Sequence, residues 1–250
     1  MDEEAKPDDY FFTPDMHCED AALNSRVTEF WYSTHTATVR PARGNQKSAE
    51  ERFFVLVYNL VAADGAAVAV PMGKDDAEYL KTRFNRRGIT DRFRETVRKC
   101  EVAGLLNVIT GSLQSRKRTM IEPSGALAEL IAELSTLADR LEDRREAMEL
   151  RGQRGLVDYA DDDSLNLARS SLDDFNELLG TTRVSWHTPE KTTTQLPNLK
   201  YRRVFNRDSF DCGGRLYCHS VQNLPKTVRS TITINGDTTA EPDFRGLHPR

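Results

Sequence analysis

The N-terminal half of the chain contains two stretches in which apolar side chains recur every three or four residues. One spans residues 48–63 and the other begins after Thr90, so both are predicted to be α-helices with one buried face. A shorter helix is predicted between them at 75–84, where acidic residues come first and basic residues last, as the helix dipole favours. The two apolar stripes consist of Phe53, Leu56, Val57 and Leu60, and of Phe93, Val97 and Cys100.

A glycine and a short apolar run follow the third predicted helix. Gly104 is expected to end that helix, residues 105–109 and 118–121 are predicted to pair as an antiparallel hairpin, and a further helix begins at Ser124. The order helix, helix, helix, hairpin, helix resembles that of a winged helix domain, which we predict for residues 48–151. The resemblance implies a DNA-binding module that uses its third helix and its hairpin, the wing.

The helix that begins at Ser124 is predicted to continue to about residue 151. Its apolar stripe covers just over two heptads, fewer than the three or four that indicate a coiled coil. We therefore expect it to pack against the preceding domain, and a dimer formed through residues 127–148 is the alternative. The stripe consists of Leu127, Leu130, Ile131, Leu134, Leu137 and Leu141, with Met148 after an interruption.

The remaining segments differ in composition. Residues 1–47 are predicted to form an acidic, partly disordered N-terminal arm. The alternative is that its aromatic patches at 10–12 and 30–32 pack against the rest of the protein. Residues 152–200 are predicted to be a helical connector and linker. Three aspartates at 161–163 precede an apolar-periodic stretch, which favours a helix N-terminus over a metal site.

Positive charge is concentrated in residues 81–118, which contain eleven basic and three acidic residues in a chain of net charge −4. A basic region on an acidic chain is typical of a protein that binds a polyanion. In a winged helix bound to DNA the third helix usually enters the major groove. The alternative is that these side chains are solvated faces of amphipathic helices. The DNA-binding candidates are Arg92, Arg94, Arg98 and Lys99 on the helix, and Arg116, Lys117 and Arg118 on the wing.

Three short blocks follow one another in the last forty residues. The first has the form Asp-x-x-Gly-Arg at 211–215, the second is Val-Gln-Asn-Leu-Pro at 221–225, and the third is Asp-Phe-Arg-Gly-Leu-His-Pro-Arg at 243–250. Their order and spacing resemble the palm of family A DNA polymerases and, more loosely, single-subunit phage and mitochondrial RNA polymerases. The resemblance implies two catalytic candidates: Arg215, which would contact the primer terminus, and Asp243, which would bind the catalytic metal ions.

The local pattern adds a hairpin to this segment. Residues 232–236 alternate β-branched and polar side chains and end in Asn-Gly, which predicts a strand and a tight turn, with 238–244 returning. In the family, the second metal carboxylate and the nucleotide-binding fingers follow the block that contains Asp243. This chain is therefore expected to be inactive alone, with Mg²⁺ and nucleotides as ligands of a completed protein only.

Composition and targeting signals set the broad class. No run approaches the roughly 20 apolar residues of a membrane span, and the N-terminus has no signal-peptide pattern, so no membrane association and a cytoplasmic location are expected. The cysteines lack a CxxC pair and are expected to be reduced, with a zinc site of Cys212, Cys218 and His219 as the alternative.

The predicted fold is α+β: an N-terminal winged helix, a helical connector, and an incomplete palm-like hairpin segment at 201–250. Two function hypotheses follow. The first is a DNA-binding, polymerase-like protein of the DNA replication or mobile-element type, truncated after its first metal-binding aspartate. The second is a non-enzymatic winged-helix protein that binds DNA in replication initiation or regulation. Both have DNA as the partner.

Overall fold

The computed structural model describes residues 10–34, 46–70, 72, 83–84, 92–111, 118–153, 155–187, 192–195, 200–217 and 224–240. The described residues form six α-helices and several small sheets, so the fold belongs to the α+β class, as predicted. Buried apolar side chains form a large core and a smaller one. None of the helices in these ranges is both long and apolar enough to cross a membrane.

The first described residues belong to the larger core. They form β1 (Tyr10–Phe11), β2 (Met16–Cys18) and α1 (Ala21–Ser33). Leu23, Val27 and Trp31 lie on one face of α1 and are at most 1% exposed, because that face packs into the core. The predicted partly disordered arm is therefore wrong for residues 10–34. The other residues of that arm up to 45 lie outside the described ranges.

Three helices, a hairpin and one further strand form most of the rest of the larger core. In chain order the elements are α2 (Gln46–Ala62), β3 (Val68–Val70), α3 (Arg92–Val102), β4 (Leu106–Ile109), β5 (Thr119–Pro123) and α4 (Gly125–Leu134). The sheet has the order β1, β3, β5, β4, and β5 is antiparallel to both of its neighbours. The apolar stripes of α2 and α3 are buried, which confirms both helices. The antiparallel pairing of β4 with β5 confirms the hairpin after them. Of the helix predicted at 75–84, only Arg83 and Phe84 are described.

Asn59 connects the N-terminal segment to α2. It is fully buried; its side chain accepts a hydrogen bond from the Thr13 N–H at 2.6 Å and donates one to the Thr13 carbonyl at 2.9 Å. Both backbone groups of Thr13 are thereby satisfied in a place that water does not reach. The neighbouring Phe12 contacts Phe93 of α3, with ring centroids 4.4 Å apart.

The long helix predicted from Ser124 to about residue 151 is wrong. After α4 come a 3₁₀ helix (Ser135–Arg140) and the strands β6 (Leu141–Asp143) and β7 (Met148–Gly152). β6 pairs with β2, and such long-range pairing outweighs the helix propensity of the stretch. The leucines of α4 lie in the larger core and Met148 lies in a strand. Residues 127–148 therefore do not form one continuous apolar stripe. The alternative prediction of a dimer through these residues required such a stripe.

The following residues form two further sheets. Their elements are β8 (Gly155–Leu156), α5 (Asp163–Gly180), β9 (Val184–His187), β10 (Thr192–Gln195), β11 (Arg202–Asn206), β12 (Ser209–Tyr217), α6 (Lys226–Arg229), β13 (Thr233–Ile234) and β14 (Asp237–Thr238). One sheet has the order β12, β11, β7, β8 and forms the smaller core with Leu165 and Leu172 of α5. The other sheet has the order β10, β9, β13, β14.

The predictions for this half are confirmed in part. Asp162 caps α5 by accepting a hydrogen bond from the Leu165 N–H at 2.8 Å, as the aspartate run predicted. The predicted linker is wrong for residues 184–187 and 192–195, where β9 and β10 pair antiparallel. Asn235 and Gly236 have positive φ, so β13 and β14 form the predicted tight hairpin.

Candidate nucleic-acid interface

α3 has one face in the larger core and the opposite face in solvent. Phe93 and Cys100 are fully buried, as their spacing predicts. The helix is closed by Gly104 at φ +71°, whose N–H donates to the Glu101 carbonyl at 2.9 Å, while the Leu105 N–H donates to the Cys100 carbonyl at 2.8 Å. This glycine cap leads the chain directly from α3 into β4.

The outer face of α3 carries most of the predicted DNA-binding residues. With 3.6 residues per turn, Glu95, Arg98 and Val102 lie along its middle, opposite the buried stripe, and all three are exposed. Arg92 and Lys99 lie next to Glu95 on one flank of this face. The result is a basic surface with a carboxylate near its centre.

The other flank of α3 carries Arg94. Its guanidinium donates to the Met72 carbonyl at 3.4 Å and the residue is half-buried, so it contacts the preceding segment as well as solvent. On the hairpin, Arg118 is exposed just before β5, whereas Arg116 and Lys117 lie outside the described residues. Five of the seven predicted DNA-binding residues are thus described, and all five are at least partly exposed.

Glu95 is a candidate functional residue that the sequence reasoning missed. Lys99 Nζ lies 2.8 Å from its carboxylate. The hydrogen bond from Lys99 lowers the pKa of Glu95 below its ordinary value, and the charges of Arg52 and Arg92 act in the same direction. Glu95 is therefore ionised at neutral pH and lies in the field of three cations. The i, i+4 spacing of glutamate and lysine was the available sequence signal.

Arg83, one of the eleven basic residues counted in 81–118, points to acidic residues of the chain itself. Its Nε donates to Asp158 at 2.8 Å and its Nη1 to Asp161 at 2.9 Å. Its guanidinium also donates to the Tyr159 carbonyl and lies over the Tyr159 ring, 3.8 Å from the centroid. Because the side chain is only 17% exposed, we assign Arg83 to an internal network and not to the candidate interface.

The network continues from Arg83 to a buried glutamate. Arg169 donates to Asp161 at 2.7 Å and to Glu146 at 3.1 Å, and Arg83 lies 3.8 Å from the second oxygen of Glu146. Glu146 is 5% exposed, and a buried carboxylate is stable when cations of this kind compensate it. The network joins the segment before α3 to α5 and the smaller core.

Arg215 lies in β12 just after two glycines that bend the strand. Gly213 and Gly214 have positive φ, and a Cβ on Gly214 would lie 2.9 Å from the ring of Phe205. The register between β11 and β12 shifts at Phe205, so the geometry of the strand itself requires these glycines. Arg215 is exposed at the edge of its sheet, in a different sheet from β13. Asp243 lies outside the described residues.

Metal ligands and reactive groups are few in the part of the chain that is described. That part contains no group of three His, Cys, Asp or Glu side chains able to hold a metal ion. Of the alternative zinc site, Cys212 is a half-buried free thiol, while Cys218 and His219 lie outside the described residues. Burial raises the pKa of the Cys100 thiol to about 12, so it is an unreactive core residue.

Comparison of the chain with protein-family models, with curated proteins and with solved structures finds no match.

Proposed function

We propose that the chain binds double-stranded DNA through the outer face of α3 and the β4–β5 hairpin. The observation that carries the proposal is the set of basic side chains, each at least partly exposed, around Arg98, on a helix whose opposite face is buried. A helix with this face fits the major groove, and its cations are attracted to the phosphates on either side.

The order of elements supports the same proposal. A helix, a strand, a second described helix and a hairpin follow one another from α2 to β5, and β3 lies next to the hairpin in the sheet. This arrangement is compatible with a winged helix domain, in which the wing would begin after Ile109 and end at Arg118. Replication initiation and regulation are the settings that we propose for such a non-enzymatic DNA-binding protein.

Salt dependence of binding to a random-sequence duplex tests the proposal. We expect the logarithm of the association constant to fall linearly with the logarithm of salt concentration, and Arg98→Ala to reduce the slope by about 0.9, the value for one lost phosphate contact. Fluorescence anisotropy of a labelled duplex gives both slopes. Absence of binding by the wild-type protein at about 50 mM salt, where phosphate contacts are strong, would overturn the proposal.

A polymerase-like role of residues 201–250 is the second proposed function. It is supported by the bulged β11–β12 hairpin, which leaves Arg215 exposed after its two glycines, and by the resemblance of the three blocks. Mg²⁺ bound through Asp243 would be the cofactor of this role, and nucleotides would be its substrates; DNA replication or a mobile element is the corresponding setting. Primer extension with Mg²⁺ that is lost in Asp243→Asn would support this role, and extension no higher than background would contradict it.

A further inference from the structure

Glu95 occupies an unexpected position for a residue of a DNA-binding surface. It lies in the middle of the outer face of α3, one turn before Arg98, and its side chain is 58% exposed. A carboxylate at this point repels phosphates that approach the neighbouring arginines. The position therefore has an electrostatic consequence for any polyanion that binds this face.

Glu95 is surrounded by cations that would also attract a phosphate. Lys99 donates to the carboxylate from 2.8 Å, and Arg52 and Arg92 both favour its charged form. An exposed i, i+4 pair of this kind contributes little to folding stability. Its larger effect is on binding, because Lys99 already has an anionic partner before any DNA arrives.

We propose that Glu95 determines the base specificity of the interface by suppressing non-specific phosphate contacts and accepting a hydrogen bond from cytosine N4 in the major groove. The proposal rests on the proposed function, DNA binding through α3. Among base edges in the major groove, cytosine and adenine both present amino donors; glutamate pairs with that of cytosine, adenine pairs best with the amide side chains of Asn and Gln, and guanine and thymine present acceptor oxygens that repel a carboxylate. Arg98, next on the same face, has the complementary chemistry for guanine.

Two binding states follow from this arrangement. On a non-specific duplex, Lys99 keeps its contact with Glu95, and the surface makes one phosphate contact fewer than its cations allow. On a specific site, Glu95 bonds to cytosine and Lys99 is released to a phosphate. The carboxylate of Glu95 thus lowers the affinity for a non-specific duplex. On a specific site its hydrogen bond to cytosine and the phosphate contact of Lys99 offset that loss.

Glu95→Gln is the informative substitution, and Glu101→Gln is its matched control. Both remove one negative charge from an exposed position on α3, but Glu101 lies on the opposite flank from Lys99. On a random-sequence duplex we expect Glu95→Gln to steepen the log–log salt slope by about 0.9. Taking 1 M salt as the reference, this corresponds to about 15-fold tighter binding at 50 mM and about fourfold at 200 mM. Glu101→Gln should leave the slope at the wild-type value.

Selection of bound sequences from a random duplex library supplies the second measurement. We expect a cytosine at one fixed position for the wild-type protein and for Glu101→Gln, and a change from cytosine to adenine at that position for Glu95→Gln, because glutamine pairs with adenine. An unchanged salt slope in Glu95→Gln, or a base preference that it shares with the wild type, would overturn the inference. If the wild-type protein binds no duplex at low salt, the proposed function itself fails, which is a distinct result.

Discussion

Arg83 and Arg98 belong to the same basic stretch of the sequence, yet the structure predicts opposite consequences for their replacement by alanine. Arg83 is surrounded by Asp158, Tyr159 and Asp161, whereas Arg98 is exposed in the middle of the outer face of α3. We expect Arg83→Ala to lower the free energy of unfolding with little effect on DNA affinity. We expect Arg98→Ala to lower DNA affinity with little effect on unfolding.

The magnitude for Arg83→Ala follows from its contacts. Loss of the stacking on Tyr159 costs about 0.5–1 kcal/mol, and loss of the charged hydrogen bond to the Tyr159 carbonyl about 1.5–3 kcal/mol. The aspartate pairs add little because both carboxylates are about half exposed and screened by solvent. Glu146 keeps its contact with Arg169 at 3.1 Å. The sum is about 2–4 kcal/mol, or roughly 4–16 °C in melting temperature for a protein of this length.

Urea denaturation followed by circular dichroism measures the first effect, and anisotropy of a labelled duplex measures the second at a temperature where both variants are folded. For Arg98→Ala we expect a stability change within about 0.5 kcal/mol, as for other exposed residues. Arg83→Lys is the control, since it keeps the charge but loses the planar fork that contacts several acceptors, and it should recover only part of the stability. The reasoning fails if Arg83→Ala weakens DNA binding as much as Arg98→Ala while unfolding at the wild-type urea concentration.

Two further predictions concern the smaller core. Gly214→Ala should lower the free energy of unfolding in urea by about 1–3 kcal/mol, since positive φ is strained for alanine and the new Cβ would lie 2.9 Å from the Phe205 ring. Gly236→Ala is the control: it is also at positive φ, but a Cβ there has nothing within 4 Å, so the loss should be smaller. Equal losses would contradict the steric argument. Burial alone would raise the pKa of Glu149, but the charges of Arg202 and Arg151 hold this pKa below the ordinary value of about 4.3. The ionised Glu149 therefore stabilises the fold above about pH 4.3, and this stabilisation is lost as the pH falls below that value. The difference in melting temperature between wild type and Glu149→Gln should therefore be larger at pH 7 than at pH 3, and a constant difference would contradict this account.

Helices, caps and turns that are specified by residues close together in the sequence could be predicted from the sequence. The stripes of α2 and α3 show the helical period, Asp162 precedes an apolar-periodic run, and Asn235-Gly236 favours one type of turn. Each of these signals depends on residues within about one or two turns of one another. The same local signals predicted the outer face of α3, because the residues between the buried positions must point to solvent.

Elements that depend on a distant partner were not predictable in this way. Residues 135–152 carry leucines and charged residues at spacings that a helix would satisfy, but β6 pairs with β2 and β7 pairs with β11. Residues 10–34 are acidic and aromatic in sequence, yet they pack into the larger core, and Asn59 satisfies both backbone groups of Thr13 across a separation of 46 residues. Neither the strand pairing nor the contact with Asn59 can be predicted from the local composition.

The division of the basic stretch at 81–118 between an internal network and an outer surface depends on where the counter-charges lie. The partners of Arg83 are 75 and 78 residues away at Asp158 and Asp161, so a count over a sequence window includes the cation and omits the anions. The counter-charge of Lys99 is four residues away and was counted. Window counts therefore overstate the charge available to a polyanion whenever an acidic chain folds its remote carboxylates onto a basic segment. On α3, Arg98 lies exposed in the middle of the outer face and the counter-charge of Lys99 is on the same helix, so this face is the part of the basic stretch that we propose for DNA binding.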